Sequence, residues 1–451
     1  MKKIQTSFLC LLLIIFLSDA VYAVQEINIG EIKRPQSAIL FIVDGLGSSY
    51  FYPELKPIAL DGNELSKVNT PNLTFGSRVI DIKTPHPVTG IAHSVIVTGN
   101  SQANEEIVGY PDATIYDIAR EHGFVNLAVM ETGDFVNMRE EQDIILFAEN
   151  NSIDEPKISI QAKAAPTGIY ELMYEWKMKV PEYLDNSSGE KKYSAYNKWG
   201  IDAANSVVTY MIDNHPTQKF LLTMNVGAID SGGHNLGDDD YLRLIEDLDR
   251  DFYPIYKTAR ENNIALFLTA DHGMSFAVKN ARRGGHSSDK YASRQESLRI
   301  PFMIISSNVK SGLVNGEYGQ EQIAPTLLSV LDLPNNLQYA DGGSINVKNY
   351  ASIFISSDGE SRVSLWNNGK KVTEQAASEL IFSGLPLNTS YTLKASGTNG
   401  NQEEHLFLDS DKQFNFNANR SSELNNKRLF SIILIVIINI AGLMVIRRIK
   451  D

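Results

Sequence analysis

Several residues in this chain carry side chains that bind metal ions or attack phosphorus, and most of them follow apolar runs. Aspartate and histidine supply the oxygen and nitrogen ligands that zinc-like divalent ions prefer. Ligands also collect beyond the carboxyl ends of strands in α/β sheets. The candidate metal ligands are Asp44, Asp230, His234, Asp271, His272 and His286, and the candidate nucleophile is Thr89. The pattern indicates an enzyme with a metal centre.

The candidate ligands emerge where strand-like segments end. Asp44 follows SAILFIV, Asp271 and His272 follow IALFLTA, and Asp230 follows FLLTMNVGAI. Ser-Gly-Gly separates Asp230 from His234, and glycine lets a backbone fold tightly around an ion. Each motif alone is weak evidence for a metal site. An Asp-Gly pair is also common in ordinary turns, and a histidine in a loop often has no functional role. Their combination is what predicts a metal centre.

Thr89 lies in a Pro-Val-Thr-Gly turn before the apolar segment HSVIVTG. Metal coordination lowers the pKa of a hydroxyl, and a helix N-terminus beneath it favours developing negative charge. A threonine in this setting is also typical of a helix cap. Thr84 and Ser94 are rival hydroxyls nearby. The sequence alone leaves these interpretations open.

Strand-like and helical patterns alternate between about residues 27 and 348. The candidate strands are SAILFIVD, NLAVME, FLLTMNV, IALFLTA and RIPFMIIS. The candidate helices are ATIYDIAREHGF, DYLRLIEDLDRDFYPIYKTARENN and EQIAPTLLSVLDL. This alternation predicts an α/β fold with a doubly wound, mainly parallel sheet sandwiched by helices. The strands are apolar throughout, as expected for strands buried on both faces.

Changes in composition divide the rest of the chain. We assign residues 24–349 to a metal-dependent domain, within which the polar, Lys- and Tyr-rich stretch 150–200 is a candidate cap over the site. Residues 350–410 alternate apolar and polar positions around Asn-Gly turns, which predicts a small β-module built from hairpins. Residues 411–428 are rich in Asn, Ser and Lys and are typical of a linker.

Both ends of the chain are apolar. Residues 1–23 are typical of a signal peptide, with Lys2 and Lys3 before an apolar run. Residues 429–446 form an apolar run of transmembrane length, followed by the basic tail 447–451. The positive-inside rule then places the tail in the cytoplasm. We therefore expect a single-pass protein of the cell membrane, anchored in the lipid bilayer with its catalytic domain outside the cytoplasm.

Composition narrows the function classes further. The net charge is −13 and the soluble part has no Lys/Arg-rich run, which argues against a nucleic-acid-binding surface. Cys10 is the only cysteine and lies in the expected signal peptide, so disulfide and thiol chemistry are not expected. The oligomeric state is not indicated by the sequence.

The order of these motifs resembles the alkaline phosphatase superfamily. The resemblance covers roughly residues 36–335 and rests on Val-Asp-Gly, Val-Thr-Gly, Asp-x-x-x-His, Thr-Ala-Asp-His-Gly and Gly-Gly-His-Ser in the family order. It implies two divalent metal ions, zinc foremost and manganese or magnesium otherwise, and a phosphate-ester substrate. One ion would be held by Asp44, Thr89, Asp271 and His272, and the other by Asp230, His234 and His286. Thr89 would become transiently phosphorylated.

The absence of one motif narrows the choice among the branches of the superfamily. Sulfatases of this superfamily need a Cys or Ser in a C/S-x-P-x-R setting, whereas Thr89 is followed by Gly-Ile-Ala. A phosphatase is our first interpretation, and a phosphodiesterase, a nucleotide pyrophosphatase or a phosphoethanolamine-type transferase is the alternative. The paired Arg282 and Arg283 are not assigned as a phosphate clamp. A non-catalytic surface binding protein on the same scaffold is the remaining alternative.

Overall fold

The computed structural model describes residues 24–132, 135–397 and 400–416. The expected signal peptide (1–23), the transmembrane segment (429–446) and the cytoplasmic tail (447–451) lie outside these residues. Within the described ranges, no helix is both long and apolar enough to cross a membrane. The membrane anchor and the location outside the cytoplasm therefore stay predictions.

The chain divides into two compact units. The larger unit contains residues Ile32–Asn349, and the smaller one combines the segment before Ile32 with the segment from Tyr350 onward. The predicted domain boundary at residue 350 coincides with the end of the larger unit at Asn349. We placed residues 24–31 in the metal-dependent domain, whereas they belong to the smaller unit.

The strands of the larger unit are β2 (Ala38–Val43), β3 (Ser77–Lys83), β4 (Phe124–Met130), β5 (Ile144–Ala148), β6 (Ile158–Ala162), β7 (Lys219–Val226), β8 (Ala265–Ala270), β9 (Ser275–Phe276), β10 (Gly284–Gly285), β11 (Arg299–Ile305) and β12 (Gly312–Gly319). Its α-helices are α1 (Thr89–Thr98), α2 (Glu105–Val108), α3 (Ile115–Glu121), α4 (Val136–Glu140), α5 (Ile169–Met178), α6 (Val180–Leu184), α7 (Glu190–Asn214), α8 (Ala228–Asn235), α9 (Asp238–Glu261), α10 (Gln295–Leu298) and α11 (Ile323–Val330). Short 3₁₀ helices lie at Ser48–Tyr50, Asn72–Thr74 and Gln320–Gln322.

A nine-stranded sheet organises the larger unit, with the order β12-β3-β11-β8-β2-β7-β4-β5-β6. The central pairings β8–β2, β2–β7, β7–β4 and β4–β5 are parallel, whereas β11 and β6 pair antiparallel with their neighbours. The α/β prediction is therefore confirmed, and the sheet that was predicted to be mainly parallel is mixed. The register sets Val43 of β2 opposite both Val226 and Ala270, so β2, β7 and β8 end at the same edge.

The apolar runs identified in the sequence form the centre of this sheet. Every residue of β2 and of β8 is buried, which requires cover on both faces of the sheet. The three helical patterns become α3, α9 and α11. Strands β3 and β12 were not predicted because their sequences, SRVIDIK and GLVNGEYG, are too polar to be recognised as buried strands.

Residues 150–200 contribute to the main core of the larger unit. They supply the edge strand β6, the helices α5 and α6, and the first turns of α7. Met173, Trp176 and Trp199 are buried in that core, and the Trp199 indole N–H donates to the Trp176 carbonyl at 2.9 Å. The expected cap over the site stays a prediction.

The smaller unit is a six-stranded sheet of β1 (Gln25–Asn28), β13 (Ala351–Asn367), β14 (Lys370–Leu385), β15 (Thr389–Gly397), β16 (Gly400–Leu408) and β17 (Lys412–Asn415). The expected Asn-Gly hairpin joins β13 to β14, because Asn368 and Gly369 both adopt positive φ. Strand β1 pairs with β14, which explains why residues 24–31 leave the larger unit.

The first residues of the predicted linker 411–428 form a β-strand. Strand β17 pairs in parallel with the first part of β13, and Phe416 is buried in the core of the smaller unit. The alternation in KQFNFN gives this short strand one apolar side, so it completes the sheet instead of forming a linker. The remainder of the predicted linker lies beyond the described residues.

We expect Trp199→Phe to destabilise the protein by about 2 kcal/mol, because the buried Trp176 carbonyl would lose its hydrogen bond. Chemical denaturation followed by circular dichroism measures this change. Trp366→Phe is the matched control, since the Trp366 indole is only half-buried and donates to the Ser364 hydroxyl. Equal loss of stability in the two variants would contradict the role of the buried hydrogen bond.

Candidate active site

Two aspartates follow the adjacent strands β2 and β8 at the shared edge of the sheet. Asp44 and Asp271 are both buried. Asp271 Oδ1 accepts hydrogen bonds from the backbone N–H of Gly45 at 3.0 Å and of His272 at 2.7 Å. Its other oxygen, Oδ2, accepts no hydrogen bond from the described residues. Burial raises the pKa of Asp271, because the charged form loses hydration, so a nearby cation would stabilise the carboxylate.

His272 faces both of these carboxylates. Its Nε2 lies 3.3 Å from Asp271 Oδ2 and 3.5 Å from Asp44 Oδ1. Its Nδ1 lies 3.0 Å from the Gly273 carbonyl, which can only accept, so Nδ1 carries the hydrogen. Burial lowers the pKa of His272 to about 3, which keeps the ring neutral. The unprotonated Nε2 therefore lies close to two carboxylates, an arrangement suited to a shared cation.

A second cluster forms where α8 follows β7. Asp230 and His234 lie one helical turn apart, with His234 Nε2 3.4 Å from Asp230 Oδ1. His286 Nε2 lies 3.5 Å from the same oxygen, and its Nδ1 donates to the Pro87 carbonyl at 2.7 Å. Burial, followed by the neighbouring His272, lowers the pKa of His286 to about 4. This cluster also presents neutral imidazole nitrogen and carboxylate oxygen.

The two clusters adjoin each other where one histidine ring from each is in contact. The rings of His272 and His286 stack with their centroids 3.6 Å apart. Ligand atoms of Asp44, Asp271 and His272 lie within 4.8 Å of one another, and so do those of Asp230, His272 and His286. The structure thus brings all the predicted ligands together, but His272 borders both clusters. His234 is outside the second group, although it lies 3.4 Å from Asp230, and its side chain is 38% exposed.

The donor set fits divalent ions. It combines carboxylates and neutral imidazoles, the ligands that zinc accepts, in a buried setting where charges need compensation. Among the described residues none donates a hydrogen bond to Asp271 Oδ2, and this observation favours a bound cation over a self-contained hydrogen-bond network.

Thr89 lies beside these clusters. Its Oγ1 is 3.2 Å from His272 Nε2, and it is the first residue of α1. The residue in the N-cap position is Val88, so the interpretation of Thr89 as a helix cap is wrong. The rival hydroxyls are buried and donate elsewhere, Thr84 to the Gln320 side chain and Ser94 to the Gly90 carbonyl.

Two residues that sequence reasoning missed hold the loops of the site. The Tyr241 hydroxyl accepts the Gly47 N–H at 3.0 Å and donates to the Gly45 carbonyl at 2.7 Å, which fixes the turn after Asp44. The Gln320 amide donates to the carbonyls of Ala270 and Asp271. No local sequence pattern predicts these contacts, because each hydrogen bond joins residues that are far apart in the sequence.

A third missed residue is His93, which is completely buried and contacts Thr89 and Asp271. Its spacing of four residues from Thr89 could have identified it as a candidate site residue, since residues four apart lie on one face of a helix.

Comparison with known proteins agrees with this geometry. Residues 38–315, more than half of the 451-residue chain, match the family model described as type I phosphodiesterase / nucleotide pyrophosphatase. The chain belongs to this family of the alkaline phosphatase superfamily. The resemblance inferred from the motifs is therefore confirmed.

Similarity to curated relatives is local. The chain is 29% identical over 117 residues to a 2,3-bisphosphoglycerate-independent phosphoglycerate mutase of Mycoplasmoides gallisepticum, covering 26% of this chain and 22% of the mutase. It is 32% identical over 117 residues to the mutase of Mesomycoplasma hyopneumoniae, covering 26% of this chain and 21% of the mutase. The chain thus matches less than a quarter of each relative's length.

Solved structures show more distant likeness. The alkaline phosphatase PafA aligns with 14% identity and a TM-score of 0.48, over 70% of this chain and 99% of PafA. The putative sulfatase yidJ from Bacteroides fragilis aligns with 11% identity and a TM-score of 0.46, over 84% of this chain and 90% of that one.

We expect Gly45→Ala to weaken zinc binding by about tenfold or more. Gly45 has φ +75°, and an added Cβ would lie 2.8 Å from the Cα and Cβ of Asp230, so the Asp230 carboxylate must shift. Gly62→Ala is the matched control, because Gly62 has φ +89° with no atom within 4 Å of the added Cβ. Isothermal titration calorimetry with zinc measures both variants, and equal affinities would contradict the close approach of the two loops.

Proposed function

We propose that this protein hydrolyses phosphoesters at this site, using two divalent ions, with zinc foremost, and a phospho-threonine intermediate. The observation that carries the proposal is the position of Thr89 Oγ1, 3.2 Å from His272 Nε2 beside both carboxylate clusters. Bound divalent ions would lower the pKa of the threonine hydroxyl and offset negative charge on the phosphate. Asp44, Asp271 and His272 would hold one ion, and Asp230, His234 and His286 the other.

Helix α1 supports the nucleophile. Thr89 begins the helix, and helix geometry leaves the first backbone N–H groups without intrahelical partners. These groups carry partial positive charge at the end where a substrate phosphate would lie beside the hydroxyl. The chain can therefore bind and orient the phosphate next to the oxygen that attacks it.

The reaction divides into two displacements. In the first, Thr89 Oγ forms a bond to phosphorus as the bond to the leaving oxygen breaks. The threonine proton passes to solvent, and the leaving oxygen takes up a proton. In the second, water forms a bond to phosphorus as the bond to Thr89 Oγ breaks, which restores the hydroxyl. Each displacement is in line, so the nucleophile and the leaving group lie on opposite sides of phosphorus.

Membership of the phosphodiesterase and pyrophosphatase family favours a diester or pyrophosphate bond as the substrate. Monoester hydrolysis, our first interpretation of the sequence, uses the same nucleophile and is the second candidate. A phosphoethanolamine-type transferase would share the first displacement and differ in the acceptor of the second.

Thr89→Ala should abolish turnover, by about 10³-fold or more, because the substitution removes the attacking oxygen. Zinc affinity should fall far less, since carboxylates and imidazoles remain. Thr89→Ser should retain activity, and Ser94→Ala is the matched control on the inner face of the same helix. Steady-state kinetics with calorimetry checks this expectation. Full activity in Thr89→Ala would remove Thr89 from the mechanism.

Metal removal should reversibly stop the reaction. We expect the full-length protein to lose activity on bis-p-nitrophenyl phosphate after chelation, and to regain it with zinc, manganese or magnesium. A parallel assay on p-nitrophenyl phosphate determines the preference between diester and monoester. Bound metal without turnover of either substrate would favour a transferase, whereas the absence of metal binding would contradict the catalytic proposal.

A further inference from the structure

His93 is a buried histidine that the proposed reaction does not use directly. It lies on α1 one turn after Thr89 and is completely buried. Its Nδ1 lies 2.9 Å from the Thr89 carbonyl oxygen. Because a carbonyl can only accept, Nδ1 must carry the hydrogen of this hydrogen bond.

The other side of the ring is fixed by an amide. His93 Nε2 lies 3.3 Å from Asn225 Nδ2, and the Asn225 Oδ1 accepts a hydrogen bond from the Thr132 hydroxyl at 3.2 Å. An amide nitrogen only donates, so Nε2 presents its lone pair. The ring is therefore a neutral Nδ1–H tautomer. Burial also lowers the pKa of His93, which agrees with a neutral ring.

The ring plane is held by packing. The rings of His93 and Phe135 stack with centroids 4.1 Å apart and 19° between planes. This contact, together with the hydrogen bonds at both nitrogens, leaves the imidazole little freedom to rotate or flip.

The same ring nitrogen also lies close to a candidate metal-binding carboxylate. His93 Nδ1 lies 3.6 Å from Asp271 Oδ2, the oxygen that accepts no hydrogen bond from the described residues. The same N–H thus lies near the main chain of the candidate nucleophile and near a candidate metal ligand. Groups that hold metal ligands in this way set their orientation and basicity.

We propose that His93 is a positioning residue whose Nδ1–H fixes the Asp271 carboxylate relative to the Thr89 main chain, with Asn225 selecting the tautomer. This inference rests on the proposed function for the roles of Thr89 and Asp271. Loss of the N–H should loosen both groups together, and it should therefore affect metal affinity and turnover in the same variant.

Two substitutions distinguish the ring nitrogens. His93→Asn can return an N–H near the position of Nδ1, whereas His93→Gln places its amide near the position of Nε2. We expect His93→Gln to weaken zinc binding and to lower kcat at saturating zinc by about 10–100-fold each, with little change in KM. His93→Asn should recover most of both quantities. Calorimetry without substrate measures the zinc affinity independently of activity.

Asn225→Asp tests the selection of the tautomer without altering His93. An aspartate at this position can only accept, so Nε2 would have to carry a hydrogen, and the ring would become either the Nε2–H tautomer or an imidazolium. We expect ¹⁵N NMR of histidine-labelled protein to show the Nδ1–H tautomer for His93 in the wild type and its loss in Asn225→Asp. Zinc affinity should fall in either case, because the ring either loses the Nδ1–H or gains a positive charge beside the Asp271 carboxylate. If His93→Gln does not fold, this variant and His93→Asn still test the proposal.

Several results would overturn the inference. They are equal zinc affinity in wild type, His93→Gln and Asn225→Asp, an Nε2–H tautomer in the wild type, or equal losses in His93→Asn and His93→Gln. The last result would indicate packing alone. Failure of the proposed function is distinguishable from these: Thr89→Ala would stay active while the His93 variants still changed zinc affinity.

Discussion

Three aspartate carboxylates converge at one edge of the sheet because strands β2, β7 and β8 end in register. Val43 lies opposite both Val226 and Ala270, so the residues that follow these strands share a small volume. Negative charges in a buried setting repel one another and lose hydration. The neighbouring His272 and His286 are held neutral by burial and cannot offset that charge. Bound cations would satisfy this requirement, and the chemistry of the site depends on it.

The loops between these strands are fixed by single polar groups that each serve two partners. The Tyr241 hydroxyl binds both ends of the turn after Asp44, and the Gln320 amide binds two successive carbonyls at the end of β8. Each of these groups is buried, so its hydrogen bonds do not compete with water. The site is therefore held by the body of the domain rather than by its own ligands alone.

The sequence predicted those parts of the site that local pattern determines. Asp44 and Asp271 could be recognised because each directly follows an uninterrupted apolar run, and such runs do form the central strands. The position of His272 between both clusters could not be predicted, because it depends on the ring of His286 stacking against it. The role of Tyr241 could not be predicted either, since its hydrogen-bond partners lie about 195 positions away in the chain. Strands β1 and β17 escaped recognition because each is short and is stabilised by a remote partner.

Strand β1 has a consequence for biosynthesis. Gln25 is paired with Leu380, so the first described strand leaves the ribosome long before its partner exists. At translation rates of ~5–20 residues per second, that strand waits tens of seconds with its backbone groups unpaired. The segment Ile32–Asn349, which contains the whole nine-stranded sheet, is synthesised within this interval. The smaller sheet is thus the last part of the described chain that can be completed, and an early stop in translation would leave β1 as an open edge for aggregation.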